Sequence, residues 1–156
     1  MKILGVDPGI RGGLSLVEII GGAVPRLIEA IDIPTVGVGP KERVDPIAVR
    51  EWVSRQDVQH CYIERAQSMP RQGSSSGFKY GRAVGAIEAA IALSGIPVTI
   101  VEPSAWKKFH KLPGKEKELS RQRALQLFPT AHSTFALKRS HGLAEAALLA
   151  LYGARQ

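Results

Sequence analysis

The chain has 156 residues, 44% of them apolar and 22% charged, which suits one folded domain with a real core and excludes a disordered or fibrous chain. No apolar run approaches the roughly 18 residues that a membrane span needs, and the first residues are strand-like rather than basic and then apolar, so a soluble, unexported, cytoplasmic protein is expected. The net charge of +7 is lopsided: residues 1–64 hold seven basic against nine acidic side chains and residues 65–156 fourteen against five, which predicts a polyanion-binding face built by the second half, with nucleic acid as the default partner.

Ile3–Val6 reads as a short apolar strand that delivers Asp7 into Pro8-Gly9, and Gly12-Gly13 opens a second apolar run, Leu14–Ile20. With Val24–Ile33 following the Gly21-Gly22 turn, these segments predict a three-stranded meander. An acid buried at the rim of such a hairpin needs a metal ion, a basic side chain or backbone N–H groups; Asp-Pro-Gly is equally ordinary turn chemistry. Residues 34–46 are rich in proline and glycine, and Asp45 then caps a helix predicted over Pro46–Arg55, where Ile47, Val49, Trp52 and Val53 have helical spacing. Val58–Ile63 is a fourth strand, with the single cysteine, Cys61, as a core residue, and it ends in Glu64 as the first strand ends in Asp7.

Arg65–Gly77, with Arg65, Arg71 and Ser74-Ser75-Ser76, has little apolar content and is expected to be a mobile loop. The spacing then predicts a helix over Phe78–Ser94 with Tyr80, Val84, Ile87 and Ile91 on one side. Gly81, Gly85, Ala86, Ala89 and Ala90 give it a small-residue surface for close packing on the sheet or on a second subunit. Pro97–Val101 is a fifth strand, parallel to the fourth by the alternation of sheet and helix. Residues 104–117 interleave Trp106 and Phe109 with Lys107, Lys108, Lys111, Lys115 and Lys117. That pattern fits phosphate contacts beside stacked bases, or a short amphipathic helix anchored by its aromatics. A helix over Glu116–Leu127 with Arg121 and Arg123 exposed, a loop over 130–139 and a last helix over Ser140–Tyr152 complete the chain. In that last helix His141 and Glu145 share one face a turn apart, and Glu145 is the lone acid of the apolar stretch Gly142–Leu151.

Asp7, Glu64 and Glu145, with His141, are hard ligands suited to Mg²⁺, with Mn²⁺ as a substitute. Beside a basic face they predict a phosphodiesterase with two ions per site. No zinc spacing, Walker A loop or Ser/His/Asp arrangement competes.

Ile3-Leu4-Gly5-Val6-Asp7-Pro8-Gly9, Tyr62-Ile63-Glu64 and His141-Gly142-Leu143-Ala144-Glu145-Ala146 resemble the RuvC-type Holliday junction resolvases, in particular their bacteriophage relatives. Pro97-Val98 and Pro103-Ser104-Ala105-Trp106-Lys107-Lys108 fall between the last two motifs, so the resemblance spans the whole chain in order. It implies one ribonuclease H-like α/β domain over residues 1–156. The expected sheet is five-stranded and mixed, three antiparallel strands and then two parallel ones, flanked by helices. It also implies a homodimer that cuts two opposed strands of a four-way DNA junction. The family's aspartate falls on Asp7 and its glutamate on Glu64. Where bacterial members close the site with two acidic residues, or a histidine and an aspartate, three apart on the last helix, this chain has His141 and Glu145 four apart, so His141 is either a ligand or an aid to the water or leaving group. A base-contacting aromatic falls on Phe78 and phosphate-binding lysines on Lys108, Lys115 or Lys117; Arg71, Lys79, Arg82 and Lys107 extend that DNA-binding set. The competing readings are a nuclease of RNA–DNA hybrids or of branched and flap DNA, a junction-binding protein without cleavage, and a fragment of an actin-like sugar kinase, whose second lobe 156 residues leave no room for.

Overall fold

The computed structural model describes residues 1–21, 24–67, 73–112, 114 and 117–156. β1 (Lys2–Asp7), β2 (Gly13–Glu18) and β3 (Arg26–Asp32) form the expected meander, followed by a small separate hairpin of β4 (Thr35–Val36) and β5 (Arg43–Val44) that the Pro/Gly-rich segment did not announce. α1 (Pro46–Ser54) begins at a proline, and the Asp45 carboxylate accepts the amides of Ile47 and Ala48, both at 3.1 Å, so two otherwise orphaned N–H groups are satisfied. β6 (His60–Glu64) then pairs parallel to β1, and α2 (Ser74–Ala92) leads to β7 (Val98–Val101), parallel to β6. α3 (Pro103–Phe109), α4 (Lys117–Leu127), α5 (His132–Phe135) and α6 (His141–Gly153) complete the order.

The sheet order is β3-β2-β1-β6-β7, the predicted mixed sheet with three antiparallel and then two parallel strands. The period-two alternation of each strand sorts its side chains to two faces. Leu4, Val6, Leu14, Leu16, Cys61 and Ile63 pack with α1 and α2, whereas Ile3, Val17 and Tyr62 join the cluster under α6. Burial among apolar neighbours pushes the Cys61 thiol up, in keeping with the expected core cysteine.

Several boundaries differ from expectation. α2 starts at Ser74, a turn before Phe78: the serine triplet, read as loop because serine competes with helical hydrogen bonds, forms its first turn. The expected small-residue surface is divided: Ala86 and Ala90 pack into the core, whereas Gly81, Gly85 and Ala89 are exposed and a Cβ built at either glycine meets nothing within 4 Å. Arg121 is not free in solvent; its guanidinium donates to the carbonyls of Phe135 (2.8 Å) and Ala136 (2.9 Å) and pairs with Glu118. Arg123 is likewise half-buried. The segment 130–139 holds α5 and short 3₁₀ turns instead of an open loop. Trp106 is 1% exposed and His110 3%, which leaves the core-anchor reading of that segment and removes Trp106 from any base stacking; Phe109 is half open at 44%.

Candidate active site

β1 and β6 run parallel in a register that pairs Val6 with Ile63, so their terminal residues, Asp7 and Glu64, come level on adjacent strands, about 4.8 Å apart at the backbone. By the same alternation both acids lie on the face covered by α6. That helix approaches the sheet backbone to backbone: a Cβ on Gly13 would stand 2.9 Å from the carbonyl carbon of Gly142, and the Ser15 hydroxyl donates to the Leu143 carbonyl at 2.8 Å. The close fit carries Glu145 and His141 to the carboxyl ends of β1 and β6. Asp7, Glu64, His141 and Glu145 therefore line one cleft of about 650 Å³.

The electrostatics follow from that convergence. Burial, and then the charges of Glu145 and Glu64, push the Asp7 carboxyl well above its usual range. Glu64 is also pushed up, by burial first and by Glu145, against the hydrogen bond it accepts at Oε2 from the Trp106 indole at 2.6 Å. Glu145 accepts from the Ser120 hydroxyl at 3.2 Å. The cleft also holds Lys107 and Lys117, the two cations whose fields offset the repulsion on Asp7. Lys117 Nζ lies 3.2 Å from His141 Nε2, and an ammonium can only donate, so Nε2 carries the lone pair and Nδ1–H donates to the Lys138 carbonyl at 3.3 Å.

Among the described residues no three His, Cys, Asp or Glu side chains stand closed around one point. The donor set nevertheless fits a divalent cation: three carboxylates on rigid elements, two of them held away from water and repelled by like charge, are stabilised together by a hard cation that takes oxygen ligands.

Of the predicted DNA contacts, Lys79, Lys107 and Lys117 line the acid cleft itself, while Lys108 is exposed outside it. Phe78 is 72% exposed and, with Arg82, lines a neighbouring hollow of about 570 Å³ between α2 and the β4–β5 hairpin. Lys79 borders both cavities. Arg71 and Lys115 lie outside the described residues. The sequence reading missed Tyr80, which faces the cleft with its ring 3.2 Å from where a Gly9 Cβ would sit, and whose hydroxyl is pushed up by burial and by Asp7 and Glu64. It also missed Arg11 and Arg65 at the rim. Tyr80 heads the buried stripe of α2, four and seven residues before Val84 and Ile87, and a polar-tipped aromatic at the end of such a stripe was the available signal.

Residues 3–122 match the profile of the family described as crossover junction endodeoxyribonuclease RuvC. The chain belongs to the RuvC family. Among solved structures, a RuvC from T. thermophilus in complex with a Holliday junction substrate is similar at a TM-score of 0.69 and 24% identity, covering 99% of this chain and 93% of that one. The fowlpox virus Holliday junction resolvase is similar at 0.62 and 13% identity, with 99% of each chain covered. At these identities the likeness bears on the fold. No match to a curated protein sequence was found. RuvC membership agrees with the mixed sheet. Among the described residues no helix is long and apolar enough to cross a membrane.

Proposed function

We propose that this RuvC-family chain is a Holliday junction resolvase, a divalent-metal-dependent endonuclease that acts as a homodimer of one 156-residue domain and makes paired incisions in four-way DNA junctions in the cytoplasm of a bacterial or phage-infected cell. The observation that carries the reading is the convergence of Asp7, Glu64 and Glu145 in one cleft that also holds Lys107 and Lys117.

In this reading Asp7, Glu64 and Glu145 hold two Mg²⁺ ions, or Mn²⁺ in their place, with His141 at the edge of the set. Bound there, such ions supply an activated water and stabilise the leaving oxygen of a phosphodiester. Lys107 and Lys117 meet the scissile phosphate as point charges, and Arg11, Arg65 and Lys79 at the rim hold the flanking backbone. His141, held between the Lys117 ammonium at Nε2 and the Lys138 carbonyl at Nδ1, is oriented to relay a proton through Nε2 once Lys117 turns to phosphate. Phe78, exposed beside Arg82, stacks on bases that the junction leaves unpaired. Arg71, Lys108 and Lys115 contribute phosphate contacts.

The test is incubation with labelled four-way junction, flap, RNA–DNA hybrid and linear duplex, with and without Mg²⁺. Symmetric nicks confined to the junction and dependent on Mg²⁺ are expected. Degradation of the hybrid alone would replace the reading with a ribonuclease H-like one, and tight junction binding without any cut would replace it with a binding protein.

A further inference from the structure

We infer that Trp106 is a positioning residue of this site: its indole N–H holds Glu64 in the orientation that meets a cation, and its ring face seats Lys107 beside the acids. The inference rests on the metal-dependent reading above and adds a residue that neither binds DNA nor ligates metal.

A buried indole must find an acceptor, and a backbone carbonyl would serve. Here Nε1 donates at 2.6 Å to Oε2 of Glu64, an acid at the end of β6, although Trp106 belongs to α3. That bond occupies Oε2 and leaves Oε1 as the oxygen to meet a cation. The other tryptophan gives the contrast. Trp52 also donates to a carboxylate, Glu29 at 3.1 Å, but neither of those residues lines the acid cleft.

The second contact is independent of the first. Lys107 Nζ lies 5.2 Å from the centroid of the Trp106 ring, within range of a cation–π attraction, so a long flexible side chain is anchored where its charge reaches both Asp7 and Glu64. One ring therefore sets the place of an acid through its edge and of a cation through its face.

The ring is itself fixed. His110, one turn on and buried, bonds through Nε2 to the Leu148 carbonyl of α6 at 2.8 Å and meets the Trp106 ring edge-on at 6.3 Å between centroids. That contact ties α3 to the helix that carries Glu145, so Glu64 and Glu145 are positioned from one scaffold. The partners that orient metal-binding side chains are worth nearly as much to a site as the ligands themselves.

Two variants test the inference. In Trp52→Phe, Trp106 is the remaining tryptophan of the two in the chain, and its emission can be followed while Mg²⁺ alone is titrated and its binding is measured by calorimetry. A saturable change in emission that tracks the calorimetric isotherm is expected. Trp106→Phe keeps a ring under Lys107 and removes the N–H; with its circular dichroism unchanged, it should bind Mg²⁺ about 10- to 100-fold more weakly. Parent-like Mg²⁺ affinity in folded Trp106→Phe, or Mg²⁺ binding that leaves Trp106 emission unaltered, overturns the inference. If Trp106→Phe does not fold, the emission titration decides alone. Absence of Mg²⁺ binding by the parent protein would be a different result, for it removes the metal site and the inference with it.

Discussion

Gly5 lies with its Cα against the carbonyl oxygen of Ala146: a Cβ there would stand 1.9 Å from that oxygen and 2.7 Å from the amide nitrogen of Ala150. Gly5 is two residues before Asp7 on β1, and Ala146 follows Glu145 on α6, so this contact sets the distance between the two acids. Both obstructing atoms are backbone and have no rotamer in which to give way. Gly5→Ala should therefore cost at least ~3 kcal/mol, the upper end of ordinary overpacking, as read by urea denaturation. The folded fraction should lose cleavage more than junction binding, because the acids separate while the basic rim stays. A variant as stable as the parent would show that α6 can lift off the sheet at little cost.

The acids should also be a liability to the metal-free fold. Asp7 and Glu64 are both pushed up in the folded protein, by burial first, so each contributes stability that is present below the ordinary carboxylate range and lost as pH rises through the raised folded values. In chelator, the melting temperature should fall as pH rises from the ordinary carboxylate range towards neutrality, and Mg²⁺ should restore it. Asp7→Asn should flatten that dependence and raise the metal-free melting temperature at neutral pH, each kcal/mol gained reading as about 2–4 °C in a chain of this size. The same variant, like Glu64→Gln, should abolish cleavage while binding junction DNA at least as well. A metal-free protein whose stability does not change over this pH range would contradict the repulsion among the three acids.

Much of this was legible in the residues. The apolar alternation of Ile3–Val6 and its neighbours, the Asp45-Pro46 helix start and the i, i+4 spacing of His141 and Glu145 are local signals, and the structure keeps them. The two strand-end acids could be matched because a strand that ends in a carboxylate appears twice. What could not be read depends on contacts distant in sequence. That the Trp106 indole reaches Glu64 across 42 residues, or that Arg121 turns inward to the Phe135 carbonyl, follows from how α3 and α4 dock, and docking leaves no periodicity. Serine's preference for caps and turns likewise hid the first turn of α2, where packing of the rest of the helix overrides it.

Adjacent lysines should separate by function. Lys107 reaches Asp7 and Glu64 and lines the cleft, whereas its neighbour Lys108 is exposed and outside it. Lys108→Ala should lower the salt slope of junction binding by about one unit and weaken all DNA forms alike, with the single-turnover rate kept at saturation. Lys107→Ala should instead lower that rate. Equal effects on rate from both would mean that the cleft does not distinguish them.

His141 and Lys117 form a pair, so removing either should expose the other's role. If His141 only relays a proton, His141→Ala should slow cleavage about 10²–10⁴-fold and leave Mg²⁺ affinity by calorimetry unchanged. Loss of Mg²⁺ binding in that variant would make it a ligand. Lys117→Ala frees Nε2 of the histidine and removes one of the cations offsetting Asp7, so it should destabilise the metal-free protein further at neutral pH.

The proposed homodimer can be tested on α2. A four-way junction offers two strands related by approximate two-fold symmetry, and one chain carries one set of acids, so paired incision asks for two copies in matching orientation. Gly81, Gly85 and Ala89 are spaced by four on the exposed side of the helix, where two backbones can approach closely. Because a Cβ at Gly85 meets nothing within 4 Å, Gly85→Arg should fold, and replacing a mid-helix glycine should add roughly 0.5–1 kcal/mol to the isolated chain. A long charged side chain at that point nevertheless bars a second helix. Light scattering should therefore show a dimeric parent and a folded, monomeric variant that binds junctions but nicks single strands without pairing the cuts. A dimeric Gly85→Arg would move the interface elsewhere, and a parent that stays monomeric at micromolar concentration with junction bound would end the dimer proposal.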